Sequence, residues 1–375
     1  MTSRERVLTA LEHKLTDRVP FTWGNGIADE TLRLLSEYLH IGSIQKTYAA
    51  LTAIDDIGDI YPNYIGPDFR HRYGDDGLFL DEWGVKWKIM FPGQGGRGDP
   101  IWFPLADAET VEEINAYHYP SPEWFDYEQL NEQIDRCNAN GEKAIRFSNA
   151  NPFEIAGFLR GYENLFVDTY ENPEIVHALM RKATDYFKQY MTCALEATKG
   201  KIDIVITADD LGGQNGLLLS PAAISEFILP YHKEVNDIIH SYGVKVMYHS
   251  CGSVIKAVDL LIASGVDVLE SIQLYTAGMT PEALKDGFGD RICFQGGASV
   301  QKTLVSGSPE DVKQEAGWLL RTLGCGGGYI LAPAHHVQYV PPENILALIE
   351  TAGRKEEFFA NVNQYLQASH RDSLV

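Results

Sequence analysis

The chain has 375 residues, 45% of them hydrophobic and 22% charged, the make-up of a soluble globular protein. Its 52 acidic residues outnumber 31 basic ones, and the net charge of −21 argues against nucleic acid and anionic membranes as partners. No apolar run approaches the roughly 20 residues a membrane span needs, and residues 1–8 read as an amphipathic helix start rather than a signal peptide, so a cytoplasmic location is expected.

In chain order, the pattern predicts an opening helix over 3–14, a first strand over 18–23 and a second over 57–61. Residues 64–105 break the rhythm: they are rich in Gly, Asp and Trp, and 78–90 alternate like a β-hairpin around Gly84. This stretch reads as an insertion over one barrel mouth. From residue 143 onward short apolar strands alternate with amphipathic helices, the signature of parallel βα units. The strands fall at 143–147, 203–207, 244–248, 266–270, 291–295 and 328–332, and helices at 173–198, 221–241, 254–264 and 309–323. Thr280-Pro281 and Ser308-Pro309 are helix starts, with the proline in the first turn. Eight strands are the number a (β/α)8 TIM barrel needs, and with no repeat or linker in view one domain carrying the insertion is expected.

In such a barrel, chemistry gathers at the C-terminal ends of the strands. The residues placed there are Asp59, Asn149, Asn151, Asp209, Asp210, His249, Cys251, Glu270, Gln273, Gln295, His335 and His336. His249 and Cys251 stand two apart at a strand end, so alternation sends both side chains to one face. An imidazole beside a thiolate is two thirds of a catalytic zinc site, which keeps a fourth position open. The third ligand is sought on the last strand end, at His335 or His336, with Glu270, Asp209 or Asp210 able to occupy the remaining position. Of the other cysteines, Cys137, Cys193 and Cys293 read as packing residues. Cys325 precedes the glycines 326–328 at the opposite end of its strand and is a poor ligand candidate. The adjacent Asp209 and Asp210 are able to bind substrate, orient a histidine or cap the following helix, and only one is expected to face the mouth.

Taken together, residues 2–8 and 17–20, Asp209-Asp210-Leu211-Gly212-Gly213-Gln214, residues 219–221, His249-Ser250-Cys251-Gly252, and the stretches 294–297, 327–333 and 342–344 resemble the uroporphyrinogen decarboxylase superfamily, most closely its cobamide-dependent methyltransferase branch. The resemblance spans nearly the whole chain. It implies a (β/α)8 barrel and transfer of a methyl group between a small donor or acceptor and the cobalt of a corrinoid. With no cobalamin-binding module in view, the corrinoid is expected on a separate partner protein. Zinc would be held by His249, Cys251 and, where the branch usually has Cys, His335. Asp209 or Asp210, with Asp59, would be the catalytic carboxylates. Asn149, Gln214, Gln273, Gln295 and Phe158 would meet substrate, and aromatic residues of the insertion would shape the pocket. A homodimer is a family-level expectation.

Two alternatives stand beside this reading. The decarboxylases carry an arginine-rich N-terminal loop, whereas residues 20–26 here hold no arginine, and Phe158 stands where they have Tyr. Asp59 matches their pyrrole-binding Asp, however, and His335 a histidine they share. A carboxy-lyase acting on a carboxylated small molecule is the first alternative, and a non-catalytic ligand-binding barrel the second.

Overall fold

The computed structural model describes residues 1–68, 77–89 and 98–372. Seven parallel strands form one sheet: β1 (Ile57–Ile60), β2 (Ala144–Ala150), β3 (Ile204–Ala208), β4 (Lys245–His249), β5 (Val268–Ile272), β6 (Cys293–Ala298) and β7 (Tyr329–Pro333). They follow one another in chain order across the sheet, each separated from the next by helix, as βα units require. The (β/α)8 TIM-barrel class expected from the sequence is the fold observed.

The segment expected as the first strand pairs through a single parallel bridge, Phe21 to Leu331 of β7. Pro20 has no N–H to add to the ladder, and its carbonyl accepts from Leu331 instead. On its other flank the Phe21 N–H goes to the Asp56 side chain at 2.9 Å, while its carbonyl accepts from Asp56 N. This short segment therefore closes the gap between β7 and β1, with a carboxylate doing half of a strand's pairing.

Asp56 also accepts from Ser3, Arg6 and Arg18 at 2.6–3.0 Å, tying the opening helix to the closure. That helix runs Ser3–Leu11 and starts with a capping box between Thr2 and Glu5. It ends earlier than its pattern suggests because the chain turns at His13 (φ 54°) to pass beneath β7. A Cβ on Gly327 would lie 2.5 Å from the Lys14 carbonyl, which explains the glycine at that position. Val7 and Leu11 plug the barrel floor against Ile57, Ala144, Ile204, Met247, Val268, Cys293 and Ile330. Each fully buried aliphatic chain of this kind stabilises the fold by about 1.5–3 kcal/mol.

Helix Pro173–Thr198 matches its expected bounds. The stretch 221–241 is two helices, Pro221–Phe227 and Leu229–Ser241, because Pro230 cannot donate to Glu226 and breaks the ladder at Ile228. Ser308 and Thr280 cap helices Pro309–Thr322 and Pro281–Phe288, each with proline in its first turn.

In the insertion, Leu78–Leu80 and Lys86–Ile89 pair antiparallel around Gly84, and a third strand, Gly98–Trp102, joins them. Asp81 Oδ1 accepts the Trp83 and Val85 N–H groups and organises the turn. Met90, the end of the expected hairpin, lies outside the described residues. No helix among the described residues is long and apolar enough to cross a membrane.

Candidate metal centre

At the C-terminal mouth, β4 delivers His249 and the turn after it Cys251, while the loop following β7 delivers His335. One ligand atom from each lies within 4.8 Å of the others. The Cys251 Sγ to His249 Nε2 separation is 3.7 Å, close to the roughly 3.5 Å between N and S ligands on a tetrahedral zinc ion. The three donors line a polar cavity of about 350 Å³ together with Arg146, Asn149 and Asp210.

The support around these donors is built from main chain and carboxylates. Glu270, the register partner of His249 on the neighbouring strand, places Oε2 against His249 Nδ1. This contact turns the ring so that Nε2 faces Cys251, the carboxylate–histidine arrangement that orients metal ligands. Asp210 Oδ1 accepts the Cys251 N–H at 2.8 Å, and Gln273 Oε1 accepts the Gly252 N–H at 3.0 Å. Gly252 is itself required: at φ 78° its missing Cβ would sit 2.3 Å from the Gly212 carbonyl, where the two mouth loops cross.

Burial opposes charge on His249, but the Glu270 carboxylate and Cys251 outweigh it and raise its pKa well above the ordinary value. Burial and the facing His249 lower that of His335. The donor set of two imidazoles and one thiol, one imidazole backed by a carboxylate, fits zinc.

The structure places the remaining expected residues unevenly. Glu270, considered as a ligand, lies on the far side of the imidazole and outside the three-donor group. His336 lines the same cavity beside Gly26 and is not part of that group either. Asp209 is buried with its carboxylate occupied: it accepts the Phe153 and Glu154 N–H groups at 3.0 and 2.7 Å and pairs with His232 Nε2 at 2.6 Å. It thereby caps the helix Pro152–Arg160, and Asp210 alone of the pair meets the Cys251 loop. Gln214 is exposed, and its carbonyl accepts from Ala277 N. Gln295 is fully buried inside the barrel with neither amide atom partnered by protein. Both oxygens of Asp59 accept from Arg146, at 2.6 and 2.9 Å.

Arg146 and His232 escaped the sequence reading. A lone arginine within an apolar strand was the available signal for the first. Nothing local marks the second, since it acts across 23 positions of sequence.

Beside the polar cavity lies a second one of about 430 Å³, walled by Trp83, Trp87, Phe125, Phe158, Phe187 and Tyr190. Tyr61 and Asn149 line both. Phe158 packs edge-on against Trp87 of the insertion, with ring centroids 4.9 Å apart.

A parallel α/β barrel with its polar residues gathered at the C-terminal mouth defines the class of this protein. The family model described as uroporphyrinogen decarboxylase (URO-D) matches residues 108–354, more than half of the chain, and the chain belongs to that family. It is 26% identical over 268 residues to uroporphyrinogen decarboxylase 2, chloroplastic, of Oryza sativa subsp. japonica, covering 68% of this chain and 64% of the relative. It is 28% identical over 203 residues to the methylated-thiol–coenzyme M methyltransferase of Methanosarcina mazei, covering 53% and 50%. The chain thus spans about half to two thirds of the length of these curated relatives. A solved methyltransferase from Methanosarcina mazei shares the fold, with a TM-score of 0.68 and 17% identity over 94% of this chain and 98% of that one.

Proposed function

We propose that this barrel is a zinc-dependent methyltransferase that moves a methyl group between a small donor or acceptor and a corrinoid carried by a separate protein. The observation that carries this reading is the convergence of His249 Nε2, Cys251 Sγ and a His335 ring nitrogen, with Glu270 behind His249. The likeness to a methylated-thiol–coenzyme M methyltransferase supports it.

In methyl transfer the bond from carbon to the donor heteroatom breaks with its electron pair staying on the heteroatom. Zinc, when bound by His249, Cys251 and His335, supplies Lewis acidity to stabilise that pair. The chain's own residues do the rest. Glu270 orients the His249 ring, while Asp210 and Gln273 hold the Cys251-Gly252 backbone. Arg146, fixed by Asp59, presents the one guanidinium among the described residues of the polar cavity.

The experiment is metal analysis of freshly purified protein alongside methyl transfer from free methylcobalamin. About one zinc per chain is expected, and a Cys251→Ala variant loses both zinc and transfer. Metal-free wild-type protein sinks the reading.

Decarboxylation is favoured by one observation, the decarboxylases among the relatives. It predicts release of carbon dioxide from a carboxylated pyrrole without metal. The Asp59 carboxylate that would hold a pyrrole has both oxygens bound to Arg146, so this reading ranks second.

A further inference from the structure

We propose that the aromatic cavity is the seat of the methyl donor, and that this donor is an uncharged aromatic methyl ether with its ring against Trp87 and Phe158 and its ether oxygen turned toward the His249–Cys251–His335 cluster. The inference rests on the methyl-transfer reading above and names its substrate class.

Size, wall chemistry, connection and charge all point the same way. A space of about 430 Å³ lies within the range of small-molecule pockets. Its walls are ring edges and faces in perpendicular packing, Trp87 on Phe158 at 4.9 Å and Trp83 on Tyr186 at 4.7 Å, the arrangement that a further ring extends favourably. Tyr61 and Asn149 border both cavities, so a ligand seated among the rings has a polar edge at the metal side.

Among the described residues of the aromatic cavity there is no Lys, Arg or His, and the two charged ones are acids, Asp81 and Glu82. The Asp81 carboxylate already takes the Trp83 and Val85 N–H groups and the Trp87 indole N–H at 2.6–2.9 Å, so it also fixes the Trp87 ring. A carboxylated arene would bring an anion to these acids without a cation to meet it. A quaternary onium suits acids and rings, but it has no lone pair for a Lewis acid to engage. An ether oxygen has one. In the transfer, the O–CH3 bond breaks with its pair left on oxygen as a phenolate. The pair for the new bond to carbon comes from the reduced corrinoid of the partner, whose cobalt is formally oxidised by two electrons.

The test is calorimetric titration of the full chain, and of Cys251→Ala, with 2-methoxyphenol, 4-methoxybenzoate, trimethylphenylammonium and cyclohexyl methyl ether. We expect 2-methoxyphenol to bind best, with the two ions about tenfold weaker or more and the non-aromatic ether roughly threefold to tenfold weaker. Trp87→Ala should weaken 2-methoxyphenol about fivefold or more and Trp87→Phe restore most of it, with thermal melting and metal content showing that both variants fold. Retained arene binding by Cys251→Ala, alongside lost zinc, separates the ring seat from the metal centre. Preference for either ion, or unchanged binding in Trp87→Ala, overturns the proposal. If no arene binds while zinc and transfer from methylcobalamin persist, this inference fails and the methyltransferase reading stands.

Discussion

Glu270 and His249 are register partners on adjacent parallel strands, and the Glu270 carboxylate holds His249 Nδ1 while Nε2 faces Cys251. The carboxylate therefore acts on any bound metal through the imidazole. Glu270→Gln should lower zinc affinity by about tenfold to a hundredfold, the usual effect of removing such a partner, with the fold intact. Competition against a chromophoric chelator measures it. Unchanged affinity would mean that the contact does not orient the ligand.

Gly252 sits where the His249–Cys251 turn crosses the Asp209–Gly213 loop, at a positive φ with no room for a methyl group. Gly252→Ala should cost about 1–3 kcal/mol from backbone strain alone and displace Cys251. We expect a lower melting temperature together with lost zinc. Gly243→Ala, also at positive φ but with open space around it, should lower the melting temperature and spare the zinc.

The pair of Asp59 and Arg146 makes a directional prediction. Arg146 is almost fully buried, and although burial disfavours its charge, Asp59 outweighs that and raises its pKa. Asp59→Ala strands the guanidinium and should destabilise the protein by about 3–5 kcal/mol. The double variant Asp59→Ala with Arg146→Met should recover much of that loss. Denaturant unfolding of wild type, the single and the double variant closes the cycle, and a double variant no more stable than Asp59→Ala contradicts it.

Asp56 makes the barrel closure acid-sensitive. Burial alone would raise its pKa, but hydrogen bonds and charge from Arg18 prevail and hold it below 3.8. Below that value the unfolded chain binds the proton first, so the stabilisation is complete above about pH 4 and is lost as pH falls through the folded pKa. Unfolding followed by circular dichroism between about pH 5 and about pH 1 should show this loss. Asp56→Asn should be less stable than wild type at pH 7 and have a flatter acid limb; an identical limb places the acid sensitivity elsewhere.

Much of the barrel is legible before folding because each βα unit announces itself locally. Strands carry continuous apolar runs, helices carry periodicity, and Ser308-Pro309 and Thr280-Pro281 mark starts that the structure shows to be caps. Where a neighbour intervenes, legibility stops. The segment around Phe21 reads as a strand, but half its pairing is with the Asp56 side chain. Asp209 and Asp210 are chemically alike in sequence. One is turned into a helix cap and a histidine, the other toward Cys251.

The sequence by itself placed His249 and Cys251 two apart at a strand end; the strand stops at His249, and it is the following turn, held by Asp210 and Gln273, that brings Cys251 to the same side. Only the tertiary structure decided which distant histidine joins them, and that Glu270 supports His249 from behind instead of joining the donors. Those relations are set by sheet closure and by the register between β4 and β5, which link residues no local pattern connects. The same holds for the ring-walled cavity: Trp87 and Phe158 meet because the insertion folds back over the helix Pro152–Arg160, and a chain read one window at a time does not bring them together.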